Sequence, residues 1–381
     1  MASQLGLGGT ERQVALLAAG LHDRGHDVVV VLLFAEGWHA DALRDRAVPM
    51  IGPLARTGRA APLLAFWRLV VLLRRLRPDV VQAYLWAACA LAGPAALVAR
   101  VPLRVAGRRS LSNWKRGRPA VVLLERCTNP SFHVFVANAR AVAEDVVRTE
   151  RLPGERVEVI HNALDPAAFV SGPDPEDAPG AGVPRPLVLC IANLIDYKGH
   201  VHLLEAQRRL RDEGTEIGLL LAGEGPARHQ IQELVGRLSL PTRLLGARAD
   251  VGALLRCVDI VVLPSLHEGM SNALMEALAA GRAVVATDVG GNREVVGDAG
   301  LLCRAADPAA LAEALARLVE DETLRNALGT RARRRAEEMF GLDVMIERYL
   351  NLWESRLADR QVTYRVRGDR GEGARERAAG D

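Results

Sequence analysis

Short apolar runs of strand length recur along the chain, each followed by a stretch with helical spacing, and this alternation sets the fold class. Asp27 to Phe34, Val80 to Ala83, Leu103 to Ala106, His133 to Val136 and Val157 to Ile160 read as strands separated by helical segments. A second series starts at Leu187 and runs to about Met339, with strands at Ile217 to Leu221, after Asp259, and at Ala283 to Thr287. Strands that alternate with helices build parallel sheets through right-handed crossovers, with helices on both faces. The expected class is α/β, with two doubly wound, Rossmann-like domains at residues 1–169 and 170–341. Ser171 to Pro186, rich in Pro, Gly and Asp, reads as the linker. Residues 360–381, charged and with few apolar side chains, are expected to be a disordered tail.

Glu268-Gly-Met-Ser-Asn-Ala-Leu-Met-Glu276 follows the apolar run that begins at Asp259 and leads into a helical face ended by Gly281. Glu268 therefore falls in a strand-to-helix loop, and Glu276 about two turns later. Backbone N–H groups from Gly269 through Met270 and Ser271 to Asn272 have no intrahelical partner and point out of the sheet's carboxyl edge, where a phosphate is stabilised.

The pattern of a glutamate, a glycine, six residues and a second glutamate followed by alanine resembles the signature of the group 1 (family 4) retaining glycosyltransferases, of the bacterial polysaccharide and lipopolysaccharide biosynthesis type. The resemblance covers residues 6 to 357 and implies a GT-B fold with two facing domains. It also implies a crossover helix at 342–359, here the amphipathic segment Leu342 to Leu357, that packs on the first domain. The family's donor-sugar contact falls on Glu268, its ribose contact on Glu276 and its pyrophosphate-facing amides on Gly269 to Asn272. Lys198, in the segment Ile191 to His200, falls where the family has a phosphate-binding lysine. A preorganised cation there stabilises the charge that grows on a leaving diphosphate. Asn193 stands where the family usually has arginine. Gly225, in Ala222-Gly-Glu-Gly-Pro226, resembles the turn near the nucleotide, and Arg248 the loop beside the base. His200 and His202 are expected to cap the next helix or line the donor pocket.

Gly8 and Gly9 resemble the glycine loop that approaches the donor phosphates from the first domain. Only Met1 to Leu5 precede this loop, too few and too polar for a central strand, so the first strand is expected to be missing. The histidine that the family often carries near the reacting carbon has no equivalent around Ala106 to Ser110.

Charge is uneven. Residues 1–169 carry 22 Lys/Arg and 14 Asp/Glu, net +8, and the rest 27 and 32, net −5. The arginine-bearing run Leu63 to Arg77 suits an anionic membrane surface. It reads equally as a core helix with a solvated face, because Arg68, Arg74, Arg75 and Arg77 do not share one stripe. No helix-turn-helix, zinc or aromatic-platform pattern accompanies the charge, so nucleic acid is not an expected partner. Five dispersed cysteines without a Cys-x-x-Cys pair read as reduced thiols. With no secretory pattern, the expected location is cytoplasmic, with possible peripheral contact with the inner membrane surface. His22 and His26 flank a helix end and are not read as metal ligands, and no Asp-x-Asp motif is present.

The resemblance thus implies a metal-independent retaining hexosyltransferase-type enzyme without a cofactor, using a UDP- or GDP-sugar as donor and a glycan or lipid-linked acceptor. A nucleotide-sugar 2-epimerase of the same fold and a non-catalytic nucleotide-sugar-binding or scaffold protein are the alternatives.

Overall fold

The computed structural model describes residues 1–6, 8–54, 61–165 and 179–359. The expected boundary at 169/170, the first half of the linker and the tail 360–381 lie outside the described residues. Two compact units result: Met1–Asn138 with Val142–Ala163 and the chain from Leu342 on, and Leu164–Gly341 with Ala139–Ala141.

The first unit alternates β1 (Ala2–Gln4), α1 (Gly9–Asp23), β2 (Val30–Ala35), α2 (Ala40–Arg44), β3 (Met50–Ile51), α3 (Ala61–Leu76), β4 (Val80–Tyr84) and α4 (Trp86–Val98). It continues through β5 (Leu103–Arg108), α5 (Pro119–Thr128), β6 (Val134–Ala137), α6 (Arg140–Glu150) and β7 (Val157–Val159). Its ladders are parallel, in the orders β1-β2-β3 and β4-β5-β6-β7. The Tyr84 N–H donates to the Met1 carbonyl at 3.0 Å, so β1 lies between β2 and β4.

The expectation of a missing first strand is thereby corrected. Ala2 and Leu5 are buried, and Ala2 is in register with Leu32. A strand bonded on both sides is held by its neighbours' backbone and can be three residues long, too short for an alternating pattern to show. The second strand begins three residues later than expected, at Val30, and β3, two residues long, gave no sequence signal.

The second unit runs β8 (Leu187–Ile191), α7 (His200–Asp212), β9 (Gly218–Ala222), α8 (Arg228–Leu238), β10 (Thr242–Gly246), α9 (Val251–Cys257), β11 (Ile260–Leu263) and α10 (Asn272–Ala279). It ends with β12 (Ala283–Thr287), α11 (Asn292–Val296), β13 (Leu301–Cys303), α12 (Pro308–Glu320) and α13 (Glu322–Phe340). Its six strands are parallel, in the order β10-β9-β8-β11-β12-β13, and β8, β9, β11 and β12 are apolar and almost wholly buried, as a sheet covered on both faces requires.

The last helix, α14 (Leu342–Ala358), belongs to the first unit and packs on α1, burying Met345, Ile346, Tyr349, Trp353 and Leu357. Gly20 of α1 makes the approach possible, because a Cβ there would stand 2.3 Å from Ile346 Cδ1. Arg109 ties this helix to the sheet, with Nη2 donating to the Tyr349 hydroxyl at 3.0 Å and Nη1 to Asn162 Oδ1 at 2.5 Å.

Beside it lies a buried ionic cluster. Glu150 accepts from Arg108 Nη2 at 2.8 Å, Lys115 Nζ at 2.7 Å and Asn129 Nδ2 at 2.9 Å, while Lys115 also pairs with Glu125 at 2.6 Å. Burial alone would raise the Glu150 carboxyl, but Arg108 and Lys115 outweigh it and hold the group down at about 2. Replacing Glu150 by Ala leaves two cations buried without it and is expected to cost about 3–5 kcal/mol in urea unfolding. A carboxylate held below its unfolded value of 4.5 stabilises the fold above that pH and loses its contribution as pH falls toward about 2. The wild type is therefore expected to lose stability over that window more steeply than Glu150→Gln. Equal acid slopes would remove Glu150 as the cause.

Candidate active site

In the second sheet the winding reverses between β8 and β11, so the loops leaving these neighbouring strands run to opposite faces and leave a crevice outside their carboxyl ends. The loop after β8 carries Asn193 and closes in a single 3-10 turn, Asp196–Lys198. The loop after β11 carries Glu268. Lys198 Nζ donates to Glu268 Oε1 at 2.5 Å, with side chains 16% and 9% exposed, and Ser265 Oγ donates to the same oxygen at 2.9 Å. The ammonium lies 5.6 Å from the centre of the Tyr197 ring.

Backbone contacts lock these loops together. The Leu266 N–H donates to the Tyr197 carbonyl at 2.7 Å. Gly199 has φ +74°, and a Cβ on it would stand 2.0 Å from the Pro264 carbonyl oxygen. On the other side the Gly291 N–H donates to the Gly269 carbonyl at 2.8 Å, and a Cβ on Gly290, at φ +51°, would stand 1.8 Å from the Glu268 carbonyl oxygen. Glycine at both positions lets three strand-end loops meet at van der Waals distance.

The Glu268 loop ends at Ser271, which caps α10 by accepting from the Leu274 N–H at 3.3 Å. Asn272 opens the helix, Met270 is buried, and Glu276 is buried in the second turn. Gly225 packs against the β8 loop, where a Cβ would stand 2.3 Å from the Leu194 carbonyl oxygen, and Leu194 N–H donates to the Glu224 carbonyl at 2.9 Å. Asn193, Lys198, Gly225, Glu268, Gly269, Met270, Ser271, Asn272 and Glu276 thus gather around the ends of β8 and β11. Arg248 follows β10, two strands from β8 and so about 10 Å away. It forms a two-pronged ion pair with Asp250, at 2.7 and 2.6 Å. Gly8 and Gly9 belong to the other unit, exposed at the start of α1.

The groups beneath the ion pair carry no charge at neutral pH. Burial pushes the Cys190 thiol on β8 up to about 12, and burial with the Lys198 charge pushes His200 down to about 4. His200 is the first residue of α7 and makes no side-chain cap. Ser265, Gly199 and Gly290 were not singled out from the sequence. The Lys-Gly and Gly-Gly pairs that contain the two glycines were visible there, but their contacts are with residues tens of positions away.

Residues 7–168 match the family described as Glycosyltransferase Family 4, and residues 185–321 the one described as Glycosyl transferases group 1. The fold is GT-B: the structure is similar to that of Anabaena HepE in complex with UDP, with a TM-score of 0.79 and 20% identity over 93% of this chain and 99% of that one. In sequence the chain is 28% identical over 213 residues to the N-acetyl-alpha-D-glucosaminyl L-malate synthase of Bacillus anthracis, covering 54% of this chain and 56% of that protein. It is 33% identical over 172 residues, 45% of each chain, to the N,N'-diacetylbacillosaminyl-diphospho-undecaprenol alpha-1,3-N-acetylgalactosaminyltransferase of Campylobacter jejuni. The matched region spans about half the length of these relatives. The chain belongs to the group 1 (family 4) GT-B glycosyltransferases.

Gly199→Ala combines a left-handed backbone, which costs about 1–2 kcal/mol for an L-residue, with an overlap against backbone that cannot move aside. Gly214→Ala shares the positive φ, +89°, but would meet nothing within 4 Å. In urea unfolding Gly199→Ala is expected to lose more stability than Gly214→Ala by at least about 1 kcal/mol. Equal losses would show that the Pro264 contact does not brace the site.

Proposed function

We propose that this chain transfers a hexose from a nucleoside diphosphate sugar to a glycan or lipid-linked acceptor, with retention of anomeric configuration and without a metal ion. The Lys198–Glu268 pair at the winding reversal of the second sheet carries this reading. A diphosphate at the start of α10 draws Lys198 toward it, and the backbone amides of Gly269 to Asn272 add to its neutralisation. Lys198 and Ser265 both bind Glu268 through Oε1, which leaves Oε2 to accept from hydroxyls of the sugar. Glu276 takes the ribose, with Asn193, Gly225 and Arg248 around the nucleotide. The acceptor attacks from the face that the diphosphate leaves, so no protein nucleophile is needed. Relatives named for a lipid-linked sugar substrate support the acceptor class.

Kinetics separates the roles. Lys198→Ala is expected to lower kcat by about 10²- to 10³-fold, by analogy with the loss of an oxyanion donor. Glu276→Gln is expected to raise donor KM more than it lowers kcat, because ribose binding is uniform along the reaction. Glu268→Gln is expected to lower kcat while leaving free UDP or GDP affinity nearly unchanged. Wild-type kcat in Lys198→Ala would refute the assignment. Conversion of donor without any acceptor would point to an epimerase, and nucleotide binding without turnover to a scaffold.

The lipid-linked reading includes peripheral membrane contact through α3. This helix buries Ala65, Leu69, Val70 and Leu73 yet leaves Leu63, Leu64, Trp67 and Val71 exposed in a second apolar stripe, with Arg68, Arg74 and Arg75 beside it. Among the described residues no helix is long and apolar enough to cross a membrane. Sedimentation with vesicles containing anionic lipid is expected to retain the chain, and Arg74→Ala with Arg75→Ala to weaken retention by about 1 kcal/mol per charge. Equal binding to neutral vesicles would contradict the role of the arginines.

A further inference from the structure

Among the described residues, twelve of the fourteen exposed large apolar side chains lie in the first unit, and only Tyr197 and Val201 in the second. Most of the twelve sit within helices, but Phe34, Trp38 and Trp86, 51%, 63% and 41% exposed, lie at or just beyond the carboxyl ends of strands, Trp86 as the first residue of α4. Phe34 is in the last turn of pleat of β2, Trp38 in the loop that follows it, and Trp86 two residues beyond β4. With β1 between β2 and β4, the winding of this sheet reverses beside β1, so its crevice is the counterpart of the one that holds Lys198 and Glu268. The ends of β2 and β4 are about 10 Å apart, two strand spacings, with the loop through Gly6, Gly8 and Gly9 leaving from the strand between them.

The backbone beside these residues is held in place. The His39 N–H donates to the Leu5 carbonyl at 3.0 Å, and Gly37 lies so close that a Cβ would stand 2.5 Å from the same oxygen, which folds the Trp38 loop back onto the end of β1. Trp86 follows Leu85 at φ +68°, a backbone state costly for a branched residue and one that tends to persist where a site requires it. Arg44, in the helix after this loop, pairs with both Glu36 and Asp41. Burial, with the nearby Arg12, keeps His39 neutral. Exposed aromatic area of this kind marks a binding surface. A sugar ring offers the matching shape and charge, with an apolar C–H face for an indole and a hydroxyl rim for neutral polar groups. A lipid surface or a nucleic acid would instead be met by free cations.

We propose that Phe34, Trp38 and Trp86 form an aromatic platform that takes a neutral pyranose ring of the acceptor glycan by stacking. The proposal rests on the glycosyltransferase reading and extends it to the acceptor. The full chain, labelled with 5-fluorotryptophan, gives one fluorine signal for each of its five tryptophans, assigned by single Trp→Phe substitutions. The probes are the methyl glycosides of glucose, galactose, mannose and N-acetylglucosamine, with 1-octanol as the apolar control. At least one glycoside is expected to move the Trp38 and Trp86 signals saturably while Trp67 and Trp353 stay still. Trp86→Ala is expected to weaken that binding by roughly tenfold, the size of one good aromatic contact. Trp38→Leu gives the same test should Trp86→Ala fail to fold. No saturable shift with any of the four, or a larger shift with 1-octanol, overturns the platform. Thermal protection by UDP or GDP is measured on the same samples. Protection without glycoside binding sinks only this inference, and absence of both sinks the transferase reading itself.

Discussion

A parallel sheet imposes one constraint from which the functional surfaces of both units follow. Every strand runs the same way, so every loop that follows a strand leaves from one edge, and where the winding reverses two neighbouring loops part and leave room for a ligand. In the second unit that place is between β8 and β11, and in the first beside β1, next to β4. Loops that converge on one spot compete for space there, which is why Gly199 and Gly290 carry no side chain and adopt left-handed backbone against the Pro264 and Glu268 carbonyls. The glycines belong to the packing that places Lys198 and Glu268 on opposite walls at bonding distance.

That ion pair also solves the problem of keeping charge in a crevice. A lone ammonium or carboxylate as little exposed as these would lose most of its hydration without recompense. Paired, each is compensated until a ligand supplies a better partner. Cys190 and His200 remain uncharged close by, so neither opposes the field of Lys198. The buried cluster in the first unit shows the contrasting arrangement. There Arg108, Lys115, Glu125, Glu150 and Asn129 bond one another, so each charge is compensated within the protein itself.

The sequence was most legible where structure is local. The loop and helix from Glu268 to Glu276, the turn carrying Lys198 and the strands of the second sheet each span fewer than a dozen residues, and their apolar spacing and glycine stops lie within a reading window. What escaped depends on distant partners. β1 and β3 are too short to show periodicity and exist because β2 pairs with both. Ser265 gains its meaning only when the β11 loop brings Glu268 back onto it. Arg248 was read as lying in the loop beside the base, without its pairing to Asp250, which stands only two residues away. That pairing was available to inspection, because opposite charges two apart in a loop readily meet.

The same dependence explains why exposed aromatic residues are hard to read as sites. Trp38, Trp67, Trp86, Trp114 and Trp353 are alike in composition, yet Trp353 is core on α14, Trp114 lies against Lys115 and Arg118, and Trp67 stands on the outer stripe of α3. Only the position of β1 gives Trp38 and Trp86 a common address, since each follows a strand that flanks it. A parallel sheet thus converts residues nearly fifty positions apart into neighbours at one edge. The two units spend this property differently: the second gathers charge and backbone amides, and the first gathers exposed aromatic faces. A lysine with backbone amides suits a diphosphate and exposed aromatic faces suit an uncharged ring, so what each edge can hold follows from which side chains its sheet carries there.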